Sequence, residues 1–165
     1  MAFFIDFEAT QFSEKIISVG CVNEYGFSYY SLVYSGKEQI TPFITNLTGI
    51  TQEMYSSAPT VTEVFSEMYD KIFDNRKDSD YTPIFYTWGD ADLKFLRNSF
   101  FEARTKKSCM MIGYLLGSIR DYGNLFCKHY EIPPLKLIKV YNLLIDKNKI
   151  QVHNELDYEV MLKNI

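Results

Sequence analysis

Two carboxylates, Asp6 and Glu8, lie one residue apart in an apolar segment near the start of the chain, residues 3–9. Alternate side chains of a β-strand point to the same face, so both carboxylates point the same way if this segment is a strand. Two buried anions are costly unless a cation lies beside them. Oxygen ligands without a nearby cysteine or histidine suit Mg²⁺ or Mn²⁺ better than Zn²⁺. The pattern predicts a divalent-metal site, and a solvated acidic edge strand is the alternative.

A second pair of acids, Asp90 and Asp92, follows the apolar segment 83–88 and precedes a segment with helical spacing, residues 90–103. Side chains at the junction of a buried strand and a helix commonly project into a cleft. The helix dipole also favours a carboxylate in the first turn, so helix stabilisation alone is the alternative explanation.

A third candidate group, His153 and Asp157, lies at the start of the predicted last helix, residues 155–165. Residues four apart share a helical face if the helix already includes the histidine. A lone histidine is otherwise more often structural.

The order of the predicted strands and helices around these side chains indicates an α/β fold, in which a mixed sheet is covered by helices. Three strands come first, with a hairpin turn at residues 23–26, and helices then alternate with strands. Strands are predicted at residues 2–8, 15–22, 27–34 and 83–88, and within 115–122. Helices are predicted from near Thr51, from Pro59, and at residues 90–103, 123–130, 135–145 and 155–165, whereas residues 36–49 are predicted to be irregular.

The composition is that of a globular protein: 165 residues, 47% hydrophobic and 23% charged. We find no linker or repeat and expect one domain over residues 1–165. The net charge is −4, but residues 104–139 carry seven basic side chains against two acidic ones. A basic segment in an acidic chain gives weak support for phosphate contacts.

The sequence also predicts where the protein acts. No apolar run approaches the length of a membrane span, and no signal peptide is recognisable. The three cysteines, Cys21, Cys109 and Cys127, are far apart and odd in number, as in reduced core residues. We therefore expect a cytoplasmic protein without a membrane partner. Aromatic residues that we expect at the surface make a protein partner or a homodimer an open alternative.

Taken in order, these motifs resemble the DEDDh branch of the proofreading-type 3′–5′ exonuclease superfamily, which has an RNase H-like fold. The first motif of that family, Asp-x-Glu followed by threonine, is matched by Asp6, Glu8 and Thr10. The second is matched at residues 88–93, whose Trp-Gly-x-x-Asp-Leu form is similar to the stand-alone Eri-type exonucleases and selects Asp92 over Asp90.

Residues 44–51 are similar to the family segment that holds the terminal nucleotide. The resemblance implies that the substrate-binding residues are Phe7, Thr10, Leu47, Ile50 and Trp88, with Phe7, Leu47 and Ile50 around the terminal base. A core position is an equally good reading of Phe7, and closing the end of the strand is the alternative for Thr10.

The activity implied by the resemblance is hydrolysis of single-stranded RNA or DNA from the 3′ end, releasing nucleoside 5′-monophosphates. Two Mg²⁺ or Mn²⁺ ions would be the cofactors, stabilising the attacking and leaving oxygens. The resemblance implies His153 as the general base, a role that suits an unperturbed imidazole at neutral pH. The metal ligands so implied are Asp6, Glu8, Asp92 and Asp157.

One position departs from the family pattern. The family aspartate lies five residues after the histidine, where this chain has Tyr158, and the nearest carboxylate is Asp157. One residue rotates a helix by about 100°, so the displacement is substantial. Either the helix start shifts and Asp157 binds metal, or the chain is a weakened or inactive exonuclease-fold module that binds nucleic acid or a protein.

Overall fold

The structure is a computed structural model that describes residues 1–74 and 82–145. Within this part of the chain, one mixed sheet is covered by helices, which confirms the predicted α/β class. Its strands are β1 (Ala2–Ala9), β2 (Ile16–Asn23), β3 (Ser28–Leu32), β4 (Ile84–Thr87) and β5 (Arg120–Asp121).

The sheet has the strand order β3-β2-β1-β4-β5. Strands β1, β2 and β3 pair antiparallel, which confirms the predicted hairpin, and β4 and β5 join them in parallel. The first strand is therefore central in the described sheet, with the hairpin on one side and the strand that precedes Asp92 on the other.

The helices of the described residues are mostly short. They are α1 (Pro42–Thr48), α2 (Gln52–Ser56), α3 (Val61–Tyr69), α4 (Ala91–Ser99), α5 (Lys106–Ser118), α6 (Tyr122–His129) and α7 (Leu137–Ile145). A π-helical turn, Asp70–Asp74, extends α3, and a 3-10 turn, Phe100–Glu102, extends α4. None of the helices in these described ranges is both long and apolar enough to cross a bilayer.

The main core lies on one face of the sheet. Alternation along β1 places Phe3, Ile5 and Phe7 on this face, where they pack in one cluster with residues of α3 and α5. Helix α3 is well specified locally, since Thr60 and Glu63 form a capping box at its start. The opposite face of β1 carries Asp6 and Glu8, together with Phe4, which packs on Tyr86 and Tyr122.

A register shift at the end of β1 creates a second, smaller core. Glu8 pairs with Ser18 but Ala9 pairs with Ile16, so Ile17 is an extra residue in β2. Ile17 is fully buried in a cluster with residues of the α1–α2 segment, among them Ile44 and Ile50. Bulges of this kind reorient side chains next to functional sites. Here the bulge attaches α1 and α2 beside Glu8.

One predicted element is wrong. Residues 36–49 were expected to be irregular, yet α1 forms there, because Thr41 caps Ile44, Pro42 occupies the first turn and Gly49 ends the helix at φ 76°. The strand expected within residues 115–122 is confirmed as β5, which pairs in parallel with β4 but is only two residues long. The first residues of that range belong to α5, which continues to Ser118.

Candidate active site

The acidic pair of β1 opens onto a cavity of about 520 Å³. Its floor comes from the three antiparallel strands, and its walls come from the α1–α2 connection and from Leu137 of α7. Asp6 and Glu8 both line this cavity and are partly exposed to it. A volume of this size is typical of small-ligand sites.

The third acid, Asp92, reaches the site from the first turn of α4. Its side chain is 5% exposed, and its Oδ1 accepts a hydrogen bond of 3.0 Å from the backbone N–H of Phe7. Asp90, at the N-cap position, is exposed and makes no capping hydrogen bond with its side chain. The fold therefore brings Asp92, and not Asp90, next to the strand that carries Asp6 and Glu8.

Burial and neighbouring charge raise the pKa of two of the three carboxyl groups, Glu8 and Asp92. Burial, reinforced by the charge of Asp6, raises the pKa of Glu8 to about 7. Burial and the Asp6 charge also raise the pKa of Asp92 to about 7, although its hydrogen bonds from Phe7 and from its own backbone act in the opposite direction. Among the described residues, neither Glu8 nor Asp92 takes part in a salt bridge. This is a site in which a cation would relieve the cost of bringing the charges together.

The donors fit a hard divalent cation in type, because carboxylate oxygens are what Mg²⁺ and Mn²⁺ prefer. In residues 1–74 and 82–145, however, no three His, Cys, Asp or Glu side chains form a closed metal-binding group. For a metal site of the predicted kind, Asp6, Glu8 and Asp92 would therefore need a further ligand from the last predicted motif.

That last motif lies outside the described residues. His153, Asp157 and Tyr158 all follow residue 145, where the described part of the chain ends. Their roles remain predictions from the sequence.

Two of the predicted substrate-binding residues line the cavity. Leu47, which is largely exposed, and Ile50, which is 3% exposed, stand on either side of the left-handed Gly49. The end of α1 and the start of α2 therefore present an apolar edge to the space above Glu8.

Three other predicted substrate-binding residues lie elsewhere. The Phe7 side chain, 3% exposed, belongs to the main core and packs on Phe65, because odd positions of β1 face away from the cavity. The buried Thr10 hydroxyl bonds Ser13 at 2.6 Å and accepts from the Lys15 backbone N–H at 3.1 Å. Both alternatives named above, core packing for Phe7 and strand closure for Thr10, describe these positions.

Trp88 also points away from the cavity lining. Its indole Nε1 donates a hydrogen bond of 2.9 Å to the carbonyl oxygen of Leu135, and its ring packs on Tyr122 and Phe126 of α6. Through these contacts Trp88 holds α6 and the segment leading into α7 against the sheet.

Sequence reasoning missed the far side of the cavity floor. Ser18 and Gly20 of β2, and Ser28 and Tyr30 of β3, line the cavity together with Asp6 and Glu8. The signal was present: once the hairpin at residues 23–26 fixes the register, alternation places these positions on the carboxylate face.

Comparison with known proteins agrees with this geometry. A family model described as an exonuclease (RNase T type) matches residues 3–132. No protein of curated function matches the sequence. Among solved structures, a full-length 3′-exonuclease superposes with a TM-score of 0.75 at 22% identity, covering 98% of this chain and 78% of that one.

Two further solved structures share the fold. The nuclease domain of 3′hExo, a DEDDh family member bound to rAMP, has a TM-score of 0.70 at 22% identity and covers 98% of this chain and 88% of its own. Exonuclease X in complex with 5′-overhanging duplex DNA has a TM-score of 0.59 at 13% identity, with 94% and 81% covered.

The fold is the RNase H-like architecture of these solved exonucleases. On the family match over residues 3–132, the chain belongs to the exonuclease family. The predicted family and fold class are confirmed.

Proposed function

We propose that this protein is an active 3′–5′ exonuclease that hydrolyses single-stranded nucleic acid to nucleoside 5′-monophosphates. The observation that carries the proposal is the convergence of Asp6 and Glu8, from one central strand, with Asp92, from the first turn of α4. Solved relatives support the substrate class, since one recognises the 3′ end of a histone mRNA stem-loop and another binds rAMP.

In this proposal Asp6, Glu8 and Asp92, with Asp157, hold two divalent ions, Mg²⁺ or Mn²⁺. When bound, such ions neutralise the carboxylates and phosphate and stabilise charge on the attacking and leaving oxygens. Leu47 and Ile50 position the terminal base by apolar contact, which tolerates any base.

His153 takes a proton from the attacking water. The water oxygen bonds to phosphorus as the bond from phosphorus to the 3′ oxygen breaks. The 3′ oxygen takes up a proton from solvent, which leaves a 3′-hydroxyl on the shortened strand and a free 5′-monophosphate. We further propose that residues 1–165 form one exonuclease domain.

A weakened or inactive module is the second candidate, favoured by one observation. Tyr158 stands where the family has an aspartate. Such a module would bind a 3′ end without hydrolysing it.

The proposed activity is tested with 5′-labelled single-stranded RNA and DNA of the same sequence, incubated with Mg²⁺, Mn²⁺ or EDTA. We expect a ladder that shortens from the 3′ end, requires metal and is absent with Asp6→Asn. Binding without any cleavage would favour the inactive module. Cleavage of a circular strand would instead show internal cutting and contradict the proposal.

A further inference from the structure

A row of three residues crosses the antiparallel half of the sheet beneath the cavity. Asp6 of β1 pairs with Gly20 of β2, and Gly20 pairs with Tyr30 of β3. Residues directly opposite one another in a sheet project to the same face. Tyr30 therefore stands on the carboxylate face, two strands away from Asp6, and all three residues line the cavity.

Tyr30 differs from its neighbour Tyr29 in exposure. Tyr29 is 6% exposed and turns into the main core, where its hydroxyl donates to the Val64 carbonyl oxygen and to Glu67. Tyr30 is 52% exposed, although it lines the cavity. Its ring thus presents an aromatic surface to whatever occupies the space beyond the acids.

Gly20 keeps the floor between the acids and this ring open. A Cβ built at Gly20 meets nothing within 4 Å, so the position adjoins free space and not a packed neighbour. A side chain here would extend from this open position into the path between Asp6 and Tyr30.

The spacing suits nucleotides upstream of the one being removed. Adjacent strands lie about 4.8 Å apart, so the backbone of Tyr30 is about 10 Å from that of Asp6. In the described sheet β3 is an edge strand, so a substrate passing over Gly20 and Tyr30 leaves across an open edge. Stacking on an aromatic ring is the contact that single-strand binders use for bases of any identity.

We propose that Tyr30 is a stacking platform for a base upstream of the scissile 3′-terminal nucleotide, and that Gly20 provides the path to it. The inference rests on the proposed nuclease function and deepens it, since it assigns a subsite for the retained strand. It makes the enzyme favour oligonucleotides over a substrate that ends at one nucleotide.

The test compares two probes: a five-nucleotide strand of thymidylate or uridylate, and the p-nitrophenyl ester of thymidine 5′-monophosphate, which occupies only the terminal site. We expect Tyr30→Ala to lower the ratio of kcat/KM for the strand to that for the ester about tenfold, chiefly through KM. Tyr30→Phe, which keeps the ring, should restore the ratio. Tyr25→Ala is the matched control, because Tyr25 is 73% exposed in the same hairpin and lies outside the cavity lining. An unchanged ratio in Tyr30→Ala, or an equal fall in Tyr25→Ala, would overturn the inference.

The Gly20→Val variant provides an independent test of the proposed path. Valine is favoured in strands, and its Cβ at this position has no atom within 4 Å, so we expect thermal stability to be kept or raised. The same variant should weaken binding of the five-nucleotide strand to the protein at least tenfold. If a folded Gly20→Val variant binds the strand as tightly as the wild-type protein does, the strand does not pass over Gly20.

The outcome separates this inference from the proposed function. If the wild-type protein hydrolyses neither probe, the proposed activity fails, and anisotropy of a labelled strand decides the role of Tyr30. Weaker binding by Tyr30→Ala but not by Tyr25→Ala supports the platform in that case. Equal binding by both variants, or no binding by the wild-type protein, rejects it.

Discussion

The backbone N–H of Phe7 donates a hydrogen bond to Asp92 Oδ1 at 3.0 Å. This bond joins the middle of β1 to the first turn of α4, so one residue of the strand fixes the acid that comes from 85 positions further along the chain. Because Asp6 and Glu8 flank Phe7, the same bond sets the spacing of all three carboxylates. Phe7 thus serves the site through its backbone, while its side chain anchors the strand in the core.

The first prediction isolates that bond by comparing two substitutions of Asp92. Asn keeps an acceptor oxygen for the Phe7 N–H, whereas Ala leaves a buried donor unpaired. Both variants remove the charge, so the charge cancels in the comparison. We expect Asp92→Ala to be less stable than Asp92→Asn by about 1 to 3 kcal/mol in urea unfolding. Equal stabilities would show that the bond does not hold the strand to the helix.

The second prediction concerns pH and the metal-free protein. Folding raises the pKa of Glu8 from 4.5, and that of Asp92 from 3.8, in each case to about 7. Between about pH 4 and pH 7 the folded chain therefore holds more protons than the unfolded chain. Stability then falls as pH rises through this window and levels off above it.

The expected fall between pH 5 and pH 8 is about 2 kcal/mol, after allowing for solvent screening of the half-exposed Glu8. Unfolding in urea with EDTA measures it, and Glu8→Gln should show a smaller fall than the wild-type protein. Stability that rises over this range, or an equal fall in Glu8→Gln, would show that these carboxyls do not titrate as the geometry requires.

The third prediction concerns the packing of α6 on Trp88. A Cβ added at Gly123 would lie 3.1 Å from a ring atom of Trp88. The indole is held by its bond to Leu135 and cannot easily give way, so we expect Gly123→Ala to cost about 1 to 3 kcal/mol of stability. Fluorescence of Trp88, the only tryptophan, would report the shift.

Gly113→Ala provides the control for this substitution. Gly113 lies on the exposed side of α5, and an added Cβ meets nothing within 4 Å. Alanine there should stabilise the helix by about 0.5 to 1 kcal/mol. If both variants change stability equally, the Trp88 contact is not the cause.

The fourth prediction addresses the displaced acid of the last motif. If the site is weakened because the family aspartate is Tyr158, then Tyr158→Asp raises kcat for single-strand hydrolysis. If Asp157 is the true ligand, then Asp157→Asn abolishes hydrolysis and Tyr158→Asp lowers it. Rates for the two variants, measured beside wild type, separate these readings, and no effect of either substitution would remove this motif from the site.

The sequence was sufficient for the features that depend on local periodicity. Alternation in β1 places Asp6 and Glu8 on one face. The strand-to-helix junction offers Asp90 or Asp92 as the third acid, and only the resemblance to the family motif selects Asp92. The position of Phe7 was left open because its apolar character suits both a core and a base-binding role. Only the pairing of β1 with its neighbours decides which face is covered by α3 and α5.

Features set by longer-range contacts were missed. The seven residues of α1 are of mixed polarity and show no clear helical periodicity. The helix could have been predicted only from its two caps, Thr41 and Gly49, taken together. Nothing in the sequence around Tyr30 distinguished it from Tyr29. Its place on the cavity floor follows from the register of three strands.

The most direct test of the central claim compares Asp92→Asn with Asp90→Asn in the metal-dependent shortening of a 5′-labelled single strand from its 3′ end. Both substitutions remove one negative charge from the same helix start, but only Asp92 is buried against the strand that carries Asp6 and Glu8. The account predicts a loss of at least a hundredfold in kcat for Asp92→Asn and a change of less than about threefold for Asp90→Asn. Full activity in a folded Asp92→Asn protein, or equal losses in both variants, would contradict it.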